Sequence, residues 1–172
     1  FVLYFTFHSI KEMAIVLSSI PVALIGGVYS MYFFEVNFSV AVAVGFIALF
    51  GIAVETGVLM IVYMNEAIRD AVVKKNSTEL SPEEVQTAVF SGAVMRVRPK
   101  LMTVMADMIG LMPILLATGV GSDVMKPIAI PFVFGLITST LFVLIVLPVV
   151  YQLVKESELK KQGKVEYLEI ND

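Results

Sequence analysis

The sequence predicts an all-α fold, a polytopic membrane helix bundle, on three observations. Apolar residues fill 58% of the 172 positions and charged residues only 16%, too little charge to give every helix a solvated face. The apolar residues come in bilayer-length blocks instead of alternating with polar ones. An amphipathic pattern with a charged face is confined to residues 81–95. The lipid bilayer is therefore the solvent, and the first partner, of most of the chain. A net charge of −3 gives no footprint for nucleic acid, and the absence of cysteine excludes disulfides and thiolate metal ligands.

Taken in order, the opening run to His8 is only about two helical turns long. It reads as the end of a helix that begins earlier (partial span 1–8), which makes the chain a fragment. Neither a basic leader nor a small-residue cleavage site marks a signal peptide. Lone His8 reads as a membrane-interface residue, since no second histidine exists to share a metal. The first full span is 13–34, with Pro21 and the pair Gly26 and Gly27 inside it, which suits close helix packing. After the short turn FFEVNFS comes the second span, 38–64. Residues 65–99 then carry both charge signs and read as a cytoplasmic connection. Within it Ser81-Pro82-Glu83-Glu84 is a helix start: serine caps, proline suits the first helical position, and Glu84 closes a capping box. The short amphipathic helix that follows, with Val85, Ala88, Val89 and Gly92 at helical spacing, is expected to lie along the membrane surface. The third span is 100–117 and the fourth 127–154, interrupted by Pro131 and Pro148; residues 155–172 form a charged tail.

Orientation follows from lysine and arginine. With the 65–99 connection and the tail in the cytoplasm, their basic residues and Lys11 lie inside and only Lys126 lies outside, the arrangement that the positive-inside rule favours.

Glu55 is the only acidic residue of its span, roughly 13 Å from the polar boundary expected near Asn65 and too deep to snorkel. A carboxylate there requires a partner, a proton or a water path, and intramembrane ionisable groups are functional-site candidates by default. The bland alternative is a permanently protonated acid hydrogen-bonded to a neighbouring helix. In the third span Lys100, Thr103 and Asp107 fall on one helix face, extended by Gly110. An ammonium, a hydroxyl and a carboxylate so aligned suit a proton relay, whereas Lys100 alone also suits a positive-inside anchor. Met102, Met105, Met108 and Met112 occupy the other side, where packing is the ordinary role of methionine. An intramembrane protease using Glu55 and Asp107, or a scaffold that transports nothing, are readings of another class; Lys100 beside Asp107 argues against the protease.

The stretch GFIALFGIAVETGVLMIVYMNEAI, then RVRPK followed by LMT, GLMPIL and TGVGSDVMKPIA, resembles the end of resistance-nodulation-division efflux pumps. The likeness covers almost the whole chain up to Gln152, and within the superfamily it is to the heavy-metal branch, most of all the copper/silver pumps. The resemblance implies one end of a twelve-helix membrane domain, in a bacterial inner-membrane antiporter that is no enzyme and needs no cofactor. Its protons drive export of a metal ion, Cu(I) or Ag(I). Glu55 and Lys100 stand where those pumps have a relay glutamate and lysine that work with an aspartate from an earlier helix. Related drug pumps, the alternative within the superfamily, usually carry a lysine at the first position and an apolar residue at the second. Thr103 and Arg96 match residues that matter to proton coupling, and Met125 matches a methionine that helps pass a soft ion, for which thioether sulfur is a suitable donor. Asp107 departs from the pattern, as an extra relay group or a change of coupling. The intact pump is implied to be a homotrimer joined to a periplasmic adaptor and an outer-membrane channel.

Overall fold

A computed structural model describes residues 2–75 and 81–162; the expectations for 76–80 and for the tail beyond 162 lie outside the described residues. The regular structure described is all helical: α1 (Val2–Phe7), α2 (Ile10–Leu17), α3 (Ser19–Phe33), α4 (Val40–Lys75), α5 (Pro82–Leu116), α6 (Ser122–Leu141), a π-helical turn (Phe142–Val146) and α7 (Leu147–Gln162). Four stretches are long and apolar enough to cross a membrane: Ile10–Phe33, Val40–Lys75, Pro82–Leu116 and Ser122–Ser157. The bundle expected from the blocks of apolar sequence is thus the fold observed.

Small residues bring these helices together. A Cβ on Gly26 would run into the Thr138 side chain and the Phe134 carbonyl oxygen, and one on Gly135 into Leu49 and the Ala23 carbonyl oxygen. Helices α3 and α6 therefore meet backbone to backbone, as small residues allow in lipid. Around this contact Ala23, Val42, Leu49 and Leu136 form one buried cluster. Towards the other end Val16, Met60, Met64, Val89, Leu147 and Tyr151 form a second.

Two expected boundaries change. The amphipathic segment is not a separate helix on the membrane surface: it runs without a break into the third span as the 35-residue α5, through Pro99 and Pro113. The physical reason is its apolar stripe, because Val85, Ala88, Val89 and Ala93 bury themselves in the same cluster as Met64, Ile68 and Val72 of α4. Helix α4 itself continues through Lys75, so much of the expected connection is a pair of helices. At its start the capping box forms as expected, the Ser81 N–H donating to Glu84 Oε2 at 2.7 Å and the Glu84 N–H to Ser81 Oγ at 3.3 Å. Lys75 Nζ meets the same carboxylate at 2.6 Å and ties the two helices together. The second change is Lys155, which is 2% exposed and belongs to the interior of the bundle, not to a charged tail.

The π turn has a local cause. Pro148 has no N–H to give the Leu144 carbonyl, and the ladder widens so that the Leu147 N–H reaches Phe142, five residues back.

Candidate functional site

Helices α4 and α5 approach closely at Gly92, where a Cβ would stand 2.8 Å from the Tyr63 carbonyl oxygen and 3.0 Å from Met64 Cα. One turn further along α5, the Arg96 guanidinium lies over the Tyr63 ring, 4.2 Å from its centroid, a cation–π contact. Another turn on, Pro99 and Lys100 face α4, and Pro99 leaves the Met95 carbonyl without its usual helical donor.

Beyond this contact the helices line a partly open cavity of about 230 Å³. Glu55, Thr56, Leu59 and Met60 line it from α4; Arg96, Pro99, Lys100 and Thr103 from α5; Val143 and Leu144 from the π turn. The space admits several water molecules. Lys100 lies in the attractive field of the Glu55 and Asp107 carboxylates and in the repulsive field of Arg96. Both nearby hydroxyls donate to backbone: Thr103 Oγ1 to the Lys100 carbonyl at 2.9 Å and Thr56 Oγ1 to the Ile52 carbonyl at 2.6 Å. Their lone pairs remain available as acceptors.

Of the residues singled out in the sequence, Glu55, Lys100, Thr103 and Arg96 share this cavity. Asp107 does not line it; it is half-buried two turns further along α5 and reaches Lys100 through its field. Met125 stands apart in the first turn of α6, exposed, about 27 Å along the helix axis from Val143. Among the described residues no three His, Cys, Asp or Glu side chains cluster to hold a metal ion.

Sequence reading missed Thr56, Tyr63 and the π turn at this site. Tyr63 carried a signal, since it falls eight residues after Glu55 and so near the same face of α4.

A bundle of four membrane-length helices that gathers a carboxylate, an ammonium and a guanidinium around one cavity has the make-up of a polytopic membrane protein with a functional-site candidate among its helices. The AcrB/AcrD/AcrF family model matches residues 1–155, and the chain belongs to that family of resistance-nodulation-division efflux transporters, in its heavy-metal branch. It is 42% identical over 151 residues to "Cation efflux system protein CusA" of Escherichia coli K12, covering 88% of this chain and 14% of the relative. "Cobalt-zinc-cadmium resistance protein CzcA" of Cupriavidus metallidurans is 36% identical over 154 residues, 89% of this chain and 14% of the relative. A crystal structure described as a heavy metal efflux pump superposes with a TM-score of 0.73 at 38% identity, over 90% of this chain and 14% of that one. The chain thus spans about 14% of the length of the curated relatives it matches.

Proposed function

We propose that this chain supplies part of the proton relay of a proton-driven metal-ion efflux pump, with Glu55 and Lys100 as the exchanging pair. The observation that carries the proposal is the single cavity shared by Glu55, Arg96, Lys100 and Thr103. In this reading a proton arriving at Glu55 neutralises the carboxylate and releases Lys100 to another partner. Thr103 and Arg96 orient that exchange, the first as an acceptor and the second as a fixed charge held on Tyr63. Asp107 biases Lys100 from outside the cavity.

The exported ion in this reading is Cu(I) or Ag(I), passed by Met125, whose soft thioether is exposed at the start of α6. The intact pump would be a homotrimer of the bacterial inner membrane, working with an adaptor and an outer-membrane channel, with residues 65–99 and the chain's end in the cytoplasm. A tag after Asp172 is then protected from external protease in intact cells. The relay is tested in full-length pump reconstituted in vesicles: Glu55→Gln and Lys100→Met should each abolish metal-stimulated proton flux at matched trimer amounts. Normal flux in Glu55→Gln would sink it. Met125→Leu should cut Ag(I) export and leave proton flux driven by other cargo unchanged; equal loss of both would remove Met125 from the ion path.

A further inference from the structure

A second polar group lies wholly inside the bundle, on three of its four spans. Glu12 of α2 is 1% exposed, Asn65 of α4 5%, and Tyr151 and Lys155 of α7 0% and 2%. Lys155 Nζ meets Glu12 Oε1 at 2.8 Å, and Asn65 Nδ2 donates to Glu12 Oε2 at 2.9 Å. The Tyr151 hydroxyl donates to Asn65 Oδ1, and the Lys155 ammonium stands over the Tyr151 ring, 5.6 Å from its centroid. Both carboxylate oxygens and both ends of the amide are used. The amide can therefore sit one way only, its donor side towards the carboxylate and its acceptor side towards the phenol.

Replacing such a buried ion pair with apolar side chains often leaves a protein as stable or makes it more so, so the pair is weak evidence for a purely stabilising role. Its better-attested use is to fix register. Here register has an addressee. Tyr151 lies about 10 Å along the helix from Leu144, and Asn65 about 15 Å from Glu55, so the network and the relay cavity are built on the same two helices. Between them Met60, Met64, Val143 and Leu147 are packed in one buried cluster. Dense packing of that kind transmits a rotation instead of absorbing it. The cavity wall on this side is the π turn, whose Val143 and Leu144 line the space.

We propose that Glu12, Asn65, Tyr151 and Lys155 form a positioning clamp that fixes the rotation and depth of α7 against α2 and α4, and thereby the π turn that walls the relay cavity. The clamp touches neither Glu55 nor Lys100; it acts through the wall beside them. This inference rests on the relay reading of the cavity, and the test separates the two.

Two spin labels, on cysteines placed at the exposed positions Val73 of α4 and Leu153 of α7, report the α4–α7 distance in full-length pump in lipid. Proton flux, with its pH midpoint, is measured on unlabelled protein of the same variants at matched trimer amounts. Lys155→Met should shift or broaden the distance distribution, move the pH midpoint and lower metal-stimulated flux at least about tenfold, the scale on which small misplacements cost activity. The exchange Glu12→Lys with Lys155→Glu should bring distance and flux back towards the parent. Parent distance in Lys155→Met overturns the clamp whatever Glu55→Gln does. A shifted distance with parent flux and midpoint also overturns it, since α7 would then move without reaching the relay. Should Lys155→Met fail to assemble, the charge exchange decides: assembly restored with flux supports the clamp, and assembly restored without flux rejects it. Loss of flux in Glu55→Gln beside parent behaviour in Lys155→Met leaves the relay standing and removes the clamp alone.

Discussion

The two polar groups inside this bundle are built in opposite ways. At the buried network every carboxylate oxygen and amide atom of Glu12 and Asn65 has a partner within the bundle, and all four side chains are closed off. At the cavity between α4 and α5 Glu55 is exposed, Lys100 is half-buried, and the charges surround a space instead of filling it. A saturated network loses partners with any change of protonation, whereas an unsaturated one can change partners. As proposed, the first site holds a helix still and the second passes a proton; the difference lies in satisfaction rather than in residue type, since each has one acid and one lysine.

Several substitutions sharpen or break this contrast, and the largest effect is expected at the cavity. Glu55→Gln and Lys100→Met should abolish coupled flux yet leave the unfolding midpoint in detergent near the parent value, because little at the cavity depends on them for packing. Next comes the network, where Lys155→Met strands the Glu12 carboxylate and should cost about 3–5 kcal/mol of stability, read by chemical unfolding. The double variant Glu12→Gln with Lys155→Met should cost clearly less, and equal losses would mean that the pair is not a pair. Tyr151→Phe leaves the Asn65 carbonyl oxygen unpaired and should cost about 1–3 kcal/mol. Gly92→Ala, which puts a methyl against the Tyr63 carbonyl, should cost about 1–3 kcal/mol by overpacking and disturb the Arg96 contact, visible as altered tyrosine fluorescence. The smallest change belongs outside both sites: Ser81→Ala removes a cap, about 1 kcal/mol, and should leave flux unchanged.

Most of the fold was legible because bilayer-length apolar blocks admit few alternatives, and Glu55 stood out because a lone acid in such a block is costly. Lys100 and Thr103 were legible, with Asp107, through their spacing on one helix, and Arg96 only through the family resemblance. The buried network was not, for a physical reason. Glu12, Asn65 and Lys155 each sit at the edge of an apolar block, where sequence cannot tell a solvated boundary residue from one whose partners come from other spans. Lys155 counted as one of the tail's lysines and Asn65 as the polar boundary, although Tyr151 and Lys155 stand four apart and so share a helix face. The long α5 was misread likewise: a charged face with an apolar stripe suits a membrane surface and a partner helix equally, and only α4 decides between them.

Continuity of α4 and α5 has a mechanical consequence. The two helices are about 54 Å and 52 Å long, against a hydrocarbon layer of about 30 Å, so each overshoots the lipid by several turns. The two are joined by Lys75 and Glu84 at one end and stand in close contact at Gly92, and Pro99 lies between the overshoot and the rest of α5, beside the cavity. A tilt of roughly 5° there sweeps Pro82, about 26 Å away, through about 2 Å. Any tilt of α5 at that point is therefore larger at Pro82 than at Lys100, and a fluorophore at the start of the helix would report it.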